Sequence, residues 1–125
     1  MRTVIKTLLL MTLLVGIAHA AAPAEQRRID YLIDSVAQLH DARFVRNGRD
    51  YGADKAVSHL RMKLRYAGDR VQTAEDFIRL CATGSSMSGT PYLIRFADGH
   101  SEPSAQWLHE RLAAYRPSAS TPAPG

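Results

Sequence analysis

The chain has 125 residues, of which 46% are hydrophobic and 22% charged, with one cysteine and a formal net charge of +4. That length supports one domain with a core of its own. A single cysteine excludes an internal disulfide framework, and so small a positive charge gives no support to a nucleic-acid binder.

Arg2 and Lys6 precede an apolar run from Thr7 to Ala18, and Ala18-His19-Ala20 follows with small residues at both ends. A basic start, an apolar core of about eleven residues and a small-residue exit predict a cleavable secretory signal peptide over 1–20. The run is well short of the roughly 20 residues that a membrane-crossing helix needs. With Arg2 and Lys6 removed, the net charge falls to +2. The mature chain is expected to be soluble, with no transmembrane segment and no nucleic-acid partner. At the other end, residues 117–125 (PSASTPAPG) predict a disordered tail. One domain over 21–116 remains.

Within it, Ile29, Leu32, Ile33 and Val36 recur at spacings of three and four, which predicts an amphipathic first helix. Asn47-Gly48 between Phe44-Val45-Arg46 and Arg49-Asp50-Tyr51 predicts a hairpin with a type I′ turn. Ala53, Ala56, Val57, Leu60, Leu64 and Ala67 form the stripe of a second helix, closed by Gly68. Thr73 with Asp76 has capping-box spacing and opens a third helix that runs to about Thr83. Cys81 shares its spacing with Ala74, Phe77 and Ile78 and is expected to be a buried small hydrophobe. Tyr92, Ile94 and Phe96 alternate before Asp98-Gly99, which predicts a second hairpin returning near His100 to Glu102. Pro103-Ser104 starts a final helix carrying Trp107, Leu108, Leu112 and Tyr115. Two hairpins in so short a chain pair most simply into one antiparallel sheet, so the expected fold is a small α+β domain with about four helices on that sheet.

The stretch from Gly84 to Pro91 has the glycine spacing of a phosphate loop, yet Thr90 and Pro91 stand where Lys and Ser or Thr are required, and it leads from helix to strand. Gly84-x-Ser86-x-Ser88 lacks the second glycine of a nucleophile elbow. A small hydrolase of an envelope polymer, using a loop serine with His59, is the alternative activity. Ser88-Gly89-Thr90-Pro91-Tyr92 also matches the SGxxY form found in loops of secreted lysozyme inhibitors, a weaker alternative. No His, Cys, Asp or Glu pair has metal-ligand spacing, and neither a metal nor a cofactor is expected. The charge concentration is on the second helix and its exit, where Lys55, Arg61, Lys63, Arg65 and Arg70 face only Asp69. Like charges four apart, as at Arg61 and Arg65, cost a helix a few tenths of a kcal/mol, about 0.2–0.5.

Four stretches together resemble a known family: Phe44-Val45-Arg46-Asn47-Gly48, His59-Leu60-Arg61-Met62-Lys63, Thr73-Ala74-Glu75-Asp76-Phe77-Ile78 and Ser85-Ser86-Met87-Ser88-Gly89-Thr90-Pro91-Tyr92. In order from about Arg27 to Tyr115, the chain is similar to the YfeK-like family of small secreted bacterial proteins, a domain of unknown function. The resemblance implies the envelope of a Gram-negative cell, in the periplasm, and one domain per chain. It implies no activity, substrate or catalytic residue. It also implies a small hydroxyl residue where Gly52 stands here.

The expected function is a non-enzymatic binding or interaction module whose partner is an unknown envelope protein or an anionic ligand. Its candidate binding residues are Arg61, Arg65, Tyr66, Arg70, Ser85, Ser86, Ser88 and Arg95, and Ala at the three serines is expected to leave the fold intact.

Overall fold

The computed structural model describes residues 20–117. The expected signal peptide up to His19, and the expected tail from Ser118 onward, lie outside the described residues.

Helix α1 is Pro23–Ala37, with Pro23 at its first position, and it buries Ile29, Leu32, Ile33 and Val36. Strands β1 (Arg43–Arg46) and β2 (Arg49–Tyr51) follow. Both turn residues between them have positive φ, 50° at Asn47 and 74° at Gly48, as a type I′ turn requires. Helix α2 (Ala53–Ala67) ends at Gly68, whose φ is 52°, and a short 3₁₀ turn covers Gly68–Arg70. Helix α3 (Ala74–Phe77) starts in the predicted capping box: the Thr73 hydroxyl accepts from the Asp76 amide, and the Asp76 carboxylate accepts from the Thr73 amide. Beyond Phe77 the expected α-helix does not continue. Ile78–Ala82 is a π-helical turn, and Thr83 Oγ1 donates to the Ile78 carbonyl at 2.8 Å as the turn ends.

Strands β3 (Leu93–Arg95) and β4 (Ser101–Pro103) form the second hairpin; β3 is one residue shorter at each end than the alternating run over 92–96, and β4 lies one residue later than expected. Pro103 closes β4, an edge strand where a missing amide is tolerated, and caps α4 (Ser104–Ala114). The hairpins join through β1 and β3 into one antiparallel sheet of order β2-β1-β3-β4. The domain is α+β, as expected.

Pairing of Phe44 with Ile94 and of Val45 with Leu93 sorts the side chains by parity. Phe44, Arg46, Tyr51, Tyr92 and Ile94 share the face that meets α2, while Arg43, Val45, Asp50, Leu93 and Arg95 take the other. The core itself is largely helical, with Leu60, Phe77, Ile78, Cys81 and Leu108 closing on the buried stripe of α1. Each such side chain contributes about 1.5–3 kcal/mol when fully buried. Among the described residues no helix is long and apolar enough to cross a membrane.

Candidate functional site

Helix α2 has three faces, each about a third of a turn wide. Leu60, Leu64 and Ala67 point to the core. His59, Met62, Lys63 and Tyr66, at spacings of three and four, form a second stripe that lines an open groove. Arg61 and Arg65 lie about 200° and 240° around the axis from His59, on the solvent side.

The sheet brings Arg46 to this groove, because it follows Phe44 by two residues and so shares the face that meets α2. Its guanidinium Nη1 lies 2.9 Å from His59 Nδ1. Tyr92, at the foot of β3, reaches the same imidazole: its hydroxyl is 3.0 Å from His59 Nε2, and the two rings meet edge to face. Lys63 completes the cluster. Its Nζ donates to the Tyr92 hydroxyl at 3.2 Å and to the Gly84 carbonyl at 3.0 Å, which ties α2 to the base of the serine loop.

A guanidinium can only donate, so His59 Nδ1 is the acceptor and Nε2 carries the proton. Nε2–H then donates to Tyr92, whose oxygen accepts from both His59 and Lys63. That leaves the Tyr92 O–H as a donor with no acceptor among the described residues, at a groove lined by cations. Burial lowers the pKa of His59 below 6.5, and the charges of Arg46 and Lys63 lower it further. The neutral tautomer that the geometry demands is also the one this environment favours.

The loop is a closed frame. Gly84 bridges to Pro91, the Ser85 amide donates to the Thr90 carbonyl at 2.9 Å, and the Gly89 amide donates back to the Ser85 carbonyl at 2.8 Å. Ser85 Oγ is buried in this frame and accepts from the amides of Met87 and Ser88 and from Asn47 Nδ2. Ser88 Oγ is 2.7 Å from Asn47 Oδ1, to which it donates. The hairpin turn that Asn47 opens therefore also anchors the loop.

Arg46, Asn47, His59, Met62, Lys63, Tyr66, Arg70, Ser85, Ser86, Met87 and Tyr92 line one groove of about 440 Å³, together with Ala67 and Leu80. No Asp or Glu is among them. The ion pairs between described residues are Arg79–Asp76, Arg95–Asp50, His100–Asp98 and His109–Glu75, so Arg46, Lys63 and Arg70 have no carboxylate partner there. The large hydrophobics that stand exposed also converge on the groove: Met62 at 39%, Tyr66 at 82% and Met87 at 98%.

Of the residues singled out from sequence, Tyr66, Arg70, Ser85 and Ser86 come together here, and Ser88 stands beside them through Asn47. Arg61 and Arg65 do not line the groove. Arg95 lies on the outer face of the sheet, paired with Asp50. Arg46, Asn47, Lys63 and Tyr92 were not among the candidates, although Lys63 is in phase with His59 and Tyr66 along α2. Among the described residues no serine hydroxyl is hydrogen-bonded to a histidine: the bonds of His59 go to Arg46 and Tyr92, and those of Ser85 to the loop frame. Within the SGxxY stretch, Tyr92 is turned inward and 8% exposed.

The chain is 46% identical over 68 residues to the uncharacterized protein YfeK of Salmonella typhimurium, a match that covers 54% of this chain and 57% of that protein. It thus spans little more than half the length of this relative. No solved structure matches the chain. A family of unknown function, DUF5329, matches residues 23–116, which include every residue of the groove. The chain therefore belongs to the DUF5329 family.

Proposed function

We propose that this protein is a non-enzymatic binding module of the periplasm that holds an anionic ligand in the groove between α2 and the serine loop. The observation that carries this reading is the set of Arg46, Lys63 and Arg70 on one concave surface with no carboxylate among its lining residues. Unpaired cations that line a groove repel one another and raise the local potential, and an anion relieves both effects. The Tyr92 hydroxyl adds an oriented neutral donor. Basic side chains around a donor-rich pocket suit a carboxylate, sulfate or phosphate group.

Titration with inorganic phosphate at low ionic strength, followed through the His59 ring and Lys63 amide resonances, tests this. The wild type should bind, salt should weaken the binding, and the R46Q/K63Q double variant should lose it. Equal responses from the two proteins would remove the groove as an anion site.

A further inference from the structure

A second cavity, of about 290 Å³, lies between α2 and the inner face of the sheet. Its walls are chiefly apolar, from Val36 of α1, Phe44 and Ile94 of the sheet and Ala56 and Leu60 of α2. Lys55, Ser58 and Met62 are exposed where it reaches the surface. Four residues, Arg46, His59, Met62 and Tyr92, line both this cavity and the cationic groove. The cluster that holds the unpaired positive charge is thus also a wall of the apolar space.

Protein interiors close to the density of organic crystals, and side chains beside a void forfeit dispersion contacts. A domain this small gains nothing from leaving Phe44, Leu60 and Ile94 beside such a space unless something fills it. The occupant must be apolar where it meets those side chains, because no polar partner awaits it there. Where it meets Arg46 and Lys63 it must carry negative charge. The exposed Met62, placed between the two compartments, suits the junction of a chain and a head group.

We propose that the site takes a single-chain anionic amphiphile, its alkyl chain in the apolar cavity and its head group on Arg46, Lys63 and the Tyr92 hydroxyl. This rests on the anion-binding role of the groove and names the class of ligand.

Binding of octanoate, acetate and octanol to the full domain, by calorimetry and methyl NMR, tests it. Each buried methylene is worth about 0.8 kcal/mol, so octanoate should bind at least about 30-fold more tightly than acetate even with half its chain buried. Ala56, Leu60 and Ile94 methyl signals should shift with octanoate and not with acetate. A56L, which fills the cavity, should weaken octanoate at least about tenfold and leave acetate unchanged. Octanoate binding no tighter than acetate, or without those methyl shifts, overturns the proposal from the wild type alone, whether or not A56L folds. The anion reading fails separately, when R46Q/K63Q binds acetate and phosphate as the wild type does. Octanol bound as tightly as octanoate would also overturn the proposal, because the charge would then contribute nothing.

Discussion

His59 Nε2 lies 3.0 Å from the hydroxyl of Tyr92, 33 positions away in sequence, while Arg46 holds the other ring nitrogen at 2.9 Å. Burial, then Arg46, then Lys63 lower the pKa of His59 below 6.5. Because the folded value lies below the unfolded one, the unfolded chain binds the proton more readily as pH falls through about 6.5. The contribution of neutral His59 is therefore complete above that pH and is lost as pH falls through the folded pKa. Thermal melts of wild type and H59Q between about pH 7.5 and 5 should show a steeper loss for the wild type. Parallel profiles would mean that His59 is not held neutral. A bound anion beside the ring should raise its pKa, so phosphate added during an NMR titration should move the His59 midpoint upward.

The serines of the loop are not equivalent. Ser85 Oγ accepts from two loop amides and from Asn47, whereas Ser86 is exposed. S85A should cost about 1 kcal/mol, the usual worth of such a bond, while S86A stays within about 0.5 kcal/mol of wild type. At Gly84 an added Cβ would stand 2.9 Å from the Thr90 carbonyl oxygen, the acceptor that closes the loop. G84A should therefore cost more, about 1–3 kcal/mol. Urea unfolding of the three variants gives the order, and a G84A protein as stable as S86A would contradict the closed frame. Loop variants meant to probe binding belong at Ser86 and Met87, where the fold is indifferent.

What sequence could reveal of this site follows from how far its parts lie apart along the chain. The stripe of α2 was legible, because helical phase alone puts His59, Met62, Lys63 and Tyr66 together. Counting charge without phase instead favours Arg61 and Arg65, which belong to the solvent side. Turn chemistry placed both hairpins, and Thr73 with Asp76 placed the start of α3. Arg46 and Tyr92 were out of reach: they meet α2 only because β1 pairs with β3 in one register, with Phe44 opposite Ile94. A slip of one residue between these strands would put the two side chains on opposite faces, and no local pattern fixes that pairing. The π-helical turn at Ile78–Ala82 was equally hidden, since its buried residues also fit an α-helix.

Cys81 is fully buried in that turn, and desolvation pushes its thiol pKa up. Thiolate is the reactive form, so the folded protein should resist a thiol reagent such as dithiobis-nitrobenzoate and react fully once unfolded in guanidinium. The labelling rate in native buffer should follow the rate of opening rather than reagent concentration. Fast, reagent-dependent labelling of the folded protein would show that the core near Leu108 and Phe77 is open to solvent.

Helix α2 begins without a side-chain cap. Gly52 is its N-cap residue, with φ −78° and ψ 172°, and its carbonyl already accepts from the Ala56 amide, but no side chain meets the amides of the first turn. A serine hydroxyl there can accept from the second or third amide of the helix. An added Cβ would meet nothing nearer than Arg43 Nη1 at 3.8 Å, an ordinary contact, and the backbone angles suit any residue. The cap adds a few tenths of a kcal/mol over glycine, and the stiffer unfolded chain adds about 0.4–1 kcal/mol. G52S should thus stabilise the domain by about 0.6–1.4 kcal/mol and raise Tm by roughly 2–11 °C for a domain of this size. At the far end of the same helix, Gly68 has φ 52° and ψ −126°, a conformation that a residue with a Cβ adopts only under strain. G68S should therefore lower Tm, so one exchange at the two ends of α2 is expected to act with opposite sign. Thermal melts followed by circular dichroism decide both, and a G52S protein that melts at or below wild type would show that the first turn of α2 has its amides satisfied without a cap.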